Sequence, residues 1–468
     1  MNPSEEGLPQ PHPASFRDAD STVFVAADLV VRAFRSGDAY GEATEGMNAP
    51  FAVDAVRRGA IVATSPLEQT DLPPGFEEGF SSRRIPFAVD PREWSFEMRK
   101  DAALLTLDLS RSALTDGFEM KDASAFNVLF DGCQPTFVDH GSFRAGYSGH
   151  WPGYSQFGDH FMNPLLVESG AGVNALAAGF TVTGIPLDLA TATNRGAGRF
   201  RRGSFSWLWR RSVAERMSRG AGSETGERLA STSLPREAVV RILEKARARI
   251  ETLESSAPSI WRHYEESACP YDDEQTDLKR SLVDSWSAEI DQREVALDVG
   301  CNVGTFSQIL AGHFERVIAV DNDSVAIDRL YRRSYGQEWG SRVTPAVVDI
   351  AQPTPAIGWL NLERASFLQR LGVVDLSVWL AVLHHLTLTA GIPLPQILDL
   401  IAQISRHAII EHIAPEDQSV TTMTAGRRWA EVPDASAFES ELDRRGCTLL
   451  RSEKTSPTRT LVLARCPR

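Results

Sequence analysis

The chain has 468 residues, 42% hydrophobic and 24% charged, which predicts a soluble globular protein of two or three domains. Acidic residues outnumber basic ones by 62 to 48, and a net charge of −14 argues against general binding to nucleic-acid backbones. The cysteines Cys133, Cys269, Cys301, Cys447 and Cys466 form no C-x-x-C pair, so neither a disulfide framework nor a structural zinc site is expected, and a reducing cytoplasm suits them.

Residues 1–20 are acidic and proline-rich, without the basic start and apolar core of a signal peptide, and read as a disordered tail. From "STVFVAADLVVRAF" to "RRIPFAV" the spacing predicts several short strands between glycines and prolines. "EWSFEMRKDAALLTLDLSRSAL" predicts a helix, with Phe96, Leu104, Leu107 and Leu114 on its apolar stripe. Two short strands follow, "FNVLF" and "PTFVDH", joined by the turn "DGCQ". The apolar stretch "AGVNALAAGFTVTGIPLDLA" carries Asn174, threonines and Asp188, which favours a buried element over a membrane span.

Residues 195–219 mix arginines with aromatics and read as an amphipathic helix packed through Trp207 and Trp209, with an anion-binding face as the alternative. A Gly/Ser-rich stretch then marks a boundary, and "PREAVVRILEKARARIETLE" predicts an amphipathic helix with Pro235 in its first turn. The expected division is an α+β domain over 21–220, a linker and helical connector over 221–274, and an α/β domain over 275–468.

In that last region "VALDVGCNVGTFSQILAG" reads as a strand ending at Asp298, a glycine turn, and a helix from Thr305. Gly300 and Gly304 would let a ligand approach the backbone. Counted from Gly300, a G-x-G-x-x-G pattern would need glycine where Asn302 and Thr305 stand, so a pyrophosphate ligand fits poorly. Further strands end at Asp321, suited to ribose hydroxyls, at Asp349, suited to an exocyclic amine, and before His384 and His385. Another ends in "HAIIEHIAPED", with Glu411 and His412 on the same edge. The plain alternative is that the acids only cap helices, since Asp is favoured there.

Three successive strands ending in Asp, with the closing "TLLRSEKTSPTRTLVLARC", resemble class I S-adenosylmethionine-dependent methyltransferases over residues 275–468. The resemblance implies a Rossmann-like seven-stranded sheet and S-adenosyl-L-methionine as cofactor. Its binding residues would be Asp298, Gly300, Asn302, Gly304, Thr305, Asp321, Asn322, Asp349, Ile350, Leu380 and Ala381. His384, His385 and Glu411 would be the catalytic candidates, with histidine the natural base for a hydroxyl acceptor. Tyr264 and Lys279 fall on the helix that would close over the cofactor.

The first half carries a second resemblance. Asp122, Asn127 and Asp139, with "DHG" at the last, are spaced like the base and metal ligands of the protein and aminoglycoside kinase C-lobe, which would hold Mg-ATP. The departures favour a degenerate domain: residues 1–99 contain no lysine, leaving an arginine such as Arg32 as substitute, and no phosphate loop precedes the helix. The space ahead of that helix is also short for a small lobe. With "RIPFAVDPREWSFEMRKDAALLTLDL", "KDASAFNVLF" and "GYSQFGDHFMNPLL", the whole chain resembles the bacterial methyltransferases of the nodulation host-specificity type. The resemblance implies the reaction more than the substrate; with the three strand-ending acids the expectation is O-methylation of a small-molecule or carbohydrate acceptor, and charge and hydropathy predict no nucleic-acid or membrane partner. A bifunctional kinase-methyltransferase and a non-catalytic cofactor-fold binding module are the alternatives.

Overall fold

The computed structural model describes residues 10–174, 177, 181–196, 233–259, 273–424, 432 and 434–467. The chain divides into two units, Met1–Pro258 with Pro355–Ala365, and Ser259–Thr354 with Ser366–Arg468. The division falls within the expected connector, and an eleven-residue piece from the second half of the sequence belongs to the first unit.

In the first unit, β1 (Gln10–Pro11), β2 (Ser21–Val25), β3 (Leu29–Phe34), β4 (Thr64–Pro66) and β5 (Glu78–Arg83) form an antiparallel sheet ordered β1-β2-β3-β5-β4. The residues ahead of Phe96 thus build a complete five-stranded sheet, more than the sequence suggests. Helix Gly37–Asn48, capped by the Ser36 hydroxyl, packs Tyr40 against Phe34 and Phe80 on β3 and β5. The expected disordered tail is corrected for residues 10–20. The His12 N–H donates to Val23 O at 2.6 Å, His12 caps a 3₁₀ turn over Pro13–Arg17, and Arg17 ion-pairs with Glu363 at 2.6 Å. Those bonds order a segment whose own apolar content is too low to do so.

Helix Phe96–Thr115 starts at the Ser95 cap and buries Phe96, Leu107 and Leu114, while Leu104 is half-buried. It is followed by β6 (Phe118–Met120), the hairpin of β7 (Val128–Asp131) and β8 (Gln134–Phe137), and β9 (Phe143–Ala145), which pairs with β6. Helix Arg236–Glu251, expected in the connector, buries Val239, Leu243, Ala246 and Ile250 and packs on helix Phe96–Thr115. Residues 197–232 and 260–272, including Trp207, Trp209, Tyr264 and Cys269, lie outside the described residues. Cys133, Cys301, Cys447 and Cys466 form no disulfide. Among the described residues no helix is long and apolar enough to cross a membrane.

The second unit is one mixed sheet. Its strands are β10 (Val295–Val299), β11 (Arg316–Asp321), β12 (Val343–Val347), β13 (Val374–Trp379), β14 (Ser405–Ile413), β15 (Thr448–Ser456) and β16 (Arg459–Arg465). The order is β12-β11-β10-β13-β14-β16-β15; the first five run parallel, while β16 lies antiparallel to β14 and β15 antiparallel to β16. The closing hairpin makes the sheet mixed, because a tight turn can only reverse a strand whereas parallel neighbours need a helical crossover. Every residue of β13 is buried, as expected of a central strand covered on both faces.

Candidate functional site

The strand order reverses direction between β10 and β13, and in an open α/β sheet ligands bind outside the strand ends at such a switch point. There Gly300 donates its N–H to Val320 O at 2.9 Å and takes φ +69°, while Gly304 at φ +82° opens helix Thr305–Leu310. A Cβ at Gly300 would meet Val382 Cγ2 at 2.6 Å, and one at Gly304 would meet Leu330 Cδ1 at 2.2 Å. These glycines are therefore required by packing of the chain on itself and by left-handed backbone, before any ligand is considered. Asp298 differs from its expected place among the cofactor ligands. It is only 2% exposed and accepts the Ser307 hydroxyl at 2.6 Å, and burial pushes its carboxyl up to about 7. It ties strand to helix from inside.

Asp321 ends β11 at the crevice, half-buried. Its Oδ2 accepts the Asn302 N–H and its Oδ1 the Asp323 N–H, both at 2.9 Å. Burial raises its pKa against those bonds. Asn302 stands at φ +52°, and its buried Oδ1 has no hydrogen-bond partner. Asn322 is exposed and Asp323 caps the next helix through Val325 and Ala326. Asp349, half-buried beyond β12, accepts the Ala351 N–H at 2.9 Å, and Ile350 beside it is half-buried too. The orphaned Asn302 oxygen and the spare lone pairs of Asp321 make this edge rich in acceptors, which fits a cofactor bearing hydroxyl and ammonium donors.

Beyond β13, Leu380 and Ala381 are half-buried, and Ala381 takes φ +53°. Its N–H donates to Glu411 Oε2 at 2.9 Å, while Glu411 Oε1 meets Lys279 Nζ at 2.6 Å. Glu411 is 0% exposed. The expectation of a catalytic Glu411 is thereby at odds with its position, because a sealed carboxylate already holding a lysine and a backbone amide has no open face for substrate. His384 lines a small pocket of about 20 Å³ with Thr387, Leu394, His412 and Phe438. Its Nδ1 is buried without a partner, and burial, with His385 and Arg459 adding, lowers its pKa to about 3. His385 is exposed, with its ring centroid 4.2 Å from that of His384, and burial also lowers its pKa below the usual 6.5.

The first unit brings Asp122, Asn127 and Asp139 together. Asn127 Nδ2 donates to Ser142 Oγ at 3.1 Å, and that hydroxyl donates to Asp139 Oδ2 at 2.9 Å. Burial raises the pKa of Asp122, helped by the charge of Asp139. Arg32, on β3, binds Asp139 Oδ1 at 2.9 Å and also reaches Ser21 Oγ and Asp18. The arginine named as a lysine substitute thus neutralises the second acid directly. Among the described residues no group of three His, Cys, Asp or Glu side chains could hold a metal ion.

Neighbouring His140 is 6% exposed, and burial lowers its pKa to about 4. Between pH 6.5 and 4 the unfolded chain binds a proton here that the folded chain does not, so stability falls as pH falls through that window. Relative to wild type, His140→Gln is expected to reduce the loss of unfolding free energy between pH 7.5 and 5 by about 2 kcal/mol, as urea titrations at the two pH values would measure.

Strand order, glycine turn and strand-end acids define an α/β domain with an acceptor-lined crevice at its switch point. No protein-family model matches the chain. The chain is similar along most of its length to nodulation protein NoeA of Rhizobium meliloti (strain 1021): 29% identical over 430 residues, covering 88% of this chain and 87% of that one. This is the resemblance to nodulation-type proteins that the sequence carries. Among solved structures, 42% of the chain is similar to N-methyltransferase NodS from Bradyrhizobium japonicum WM9 (19% identity, 99% of that chain, TM-score 0.31). A further 18%-identical match, to the bifunctional kinase-methyltransferase WbdD, covers 47% of this chain and 45% of that one with a TM-score of 0.32.

Nothing in the sequence signals the contact of Arg364 with Phe126, whose ring centroid lies 4.0 Å from the cation. No spacing rule pairs residues so far apart.

Proposed function

We propose that the chain is an S-adenosylmethionine-dependent methyltransferase acting on a hydroxyl of a small-molecule or carbohydrate acceptor. The observation that carries this reading is the acceptor-rich crevice edge, where Asp321 and the orphaned Asn302 oxygen stand together. Asp321 would take the ribose hydroxyls, Asp349 and Ile350 the adenine, and the turn from Gly300 to Thr305 with Asn322, Leu380 and Ala381 the remainder. S-adenosylmethionine, when bound, supplies an electrophilic methyl group; positioning and proton transfer fall to this chain.

His385 is the better base. It is exposed on the short helix Leu383–Leu388 that follows β13, and a lowered pKa leaves it neutral and able to accept a proton at pH 7. His384, at about 3, is too weak a base and instead shapes the pocket. Glu411 positions the Ala381 turn. His385→Ala is expected to lower kcat by about 10²–10⁴-fold with little change in cofactor affinity, and the acid limb of the wild-type rate profile should lie below pH 6.5.

The test compares metabolites of wild-type and deletion strains for a pair differing by one CH₂, and then supplies the lighter one to the protein with labelled cofactor. Label transfer supports the reading; tight cofactor binding without transfer to any such compound favours a binding module. A second reading, a bifunctional kinase-methyltransferase, draws on the convergence of Asp122, Asn127 and Asp139. The Arg32–Asp139 pair weighs against it, since it occupies the carboxylate that would hold magnesium. A thermal shift with Mg-ATP that Asp139→Ala abolishes would favour it.

A further inference from the structure

The antiparallel hairpin that closes the second unit carries a cysteine at each open end. In its ladder Thr448 on β15 pairs with Arg465 on β16, so Cys447 and Cys466 stand opposite each other one step beyond. The two chains stay together past that step, because a Cβ placed on Gly446 would lie 3.5 Å from Pro467 Cβ. The cysteines are thus bracketed by a close pair on either side, although 19 positions separate them in the sequence.

Backbone directions fix the kind of pair. The Cys447 N–H donates to Leu442 O at 3.1 Å and the Cys466 N–H to Arg406 O at 2.8 Å, neither toward the opposite cysteine. In such a pair, without mutual hydrogen bonds, the Cα atoms lie about 4.5 Å apart and the side chains share a face, inside the roughly 4.4–6.8 Å that a disulfide spans. That face is the inner one: Thr448 and Arg465 are exposed, whereas each cysteine is only 6% exposed. Burial pushes the Cys447 thiol up, against a hydrogen bond with the Cys466 thiol and the charge of Arg445. The two sulfurs are in contact. The other described cysteines lie apart from this pair, Cys133 in the first unit and Cys301 in the glycine turn after β10.

We propose that Cys447 and Cys466 are a redox modification site, a dithiol that a small disulfide compound oxidises to a disulfide linking β15 to β16. One cysteine thiolate attacks a sulfur of the oxidant and expels a thiolate. The other cysteine loses its proton, attacks the mixed disulfide and expels a second thiolate. The protein gives up two electrons and two protons as its S–S bond forms, and the oxidant takes them up as two thiols when its own S–S bond breaks. The link would staple β15, an outer strand paired on one side only and exposed along most of its length. Cys466 stands at the Arg406 end of β14, whereas Glu411 lies further along toward the crevice edge, so closure leaves the crevice as it is. The site is independent of the methyl-transfer reading.

The test incubates the folded full chain with cystamine at about pH 8.5, where thiolate is more abundant, and maps the cysteines by alkylation and peptide mass spectrometry. The expected product is a Cys447–Cys466 link, lighter than the dithiol by two hydrogens and reopened by dithiothreitol. Its melting temperature should exceed that of the reduced chain by about 5 °C or more, because the link constrains the unfolded hairpin. The rise should be absent in Cys447→Ala and in Cys466→Ala. If burial blocks the folded chain, refolding the reduced, urea-unfolded chain in the same oxidant decides, with the same link expected. Both thiols still open to alkylation after refolding, cysteamine retained on either sulfur, a link to Cys133, Cys269 or Cys301 instead, or an unchanged melting temperature in the linked chain would overturn the proposal. Binding of S-adenosylhomocysteine should be equal in the reduced and linked forms; its failure in both bears on the methyl-transfer reading alone.

Discussion

Asp321→Ala is expected to weaken binding of S-adenosylhomocysteine by about 100-fold or more, because charge-assisted hydrogen bonds are worth about 1.5–3 kcal/mol each and this carboxylate would accept two from the ribose. The substitution also strands the Asn302 and Asp323 N–H groups that the carboxylate now receives. A modest loss of stability is therefore expected beside the loss of affinity. Asp321→Asn separates the two, since it keeps the size of the side chain but loses charge and half its acceptor capacity. Calorimetry on both variants, with circular dichroism as a folding check, measures the effect. An unchanged affinity in a folded Asp321→Ala protein would place the cofactor elsewhere.

Glu411→Ala is expected to destabilise the second unit by about 3–5 kcal/mol, the cost of leaving a buried charge without its partner. Lys279 is 7% exposed and meets Glu411 at 2.6 Å, so removing the carboxylate leaves an ammonium closed off from water. It also releases the Ala381 N–H, which helps hold a left-handed residue beside the proposed acceptor edge. Pairing Glu411→Met with Lys279→Met should recover much of the stability, because both members of the closest buried pair are then removed while Arg459, 3.7 Å from Glu411, keeps its bonds to Asp417. Activity should remain low in that double variant, because the Ala381 turn has lost its tether. Recovery of full kcat in the stable double variant would deny Glu411 its positioning role. Chemical denaturation and steady-state kinetics report the two parts separately.

Much of the second unit is legible in the sequence because its signals are local. A run of apolar residues ending in Asp marks β11 and Asp321, and the glycine turn marks the start of the following helix. What escapes a sequence reading is what each group touches. Asp298 and Asp321 look alike as strand-ending acids, yet one is sealed against Ser307 and the other faces the crevice. Glu411 looks like a base because it lies near a strand end beside a histidine, and its partners Lys279, 132 positions earlier, and Arg459, at 3.7 Å, reveal a buried ion pair. The glycines suggest room for a ligand, whereas the nearest obstacles to a Cβ are Val382 and Leu330. In the first unit the spacing of Asp122, Asn127 and Asp139 does correspond to a spatial group, while the Arg32 contact that neutralises Asp139 depends on sheet geometry. Residues 10–20 carry too little apolar content to signal order, since their bonds come from β2 and from Glu363.

The most direct test of the central claim is calorimetric titration of the full chain with S-adenosylmethionine. The crevice built on Asp321, Asn302 and Asp349 predicts saturable binding at one site per chain, competed by S-adenosylhomocysteine. Failure of the folded wild-type protein to bind either compound would contradict the account.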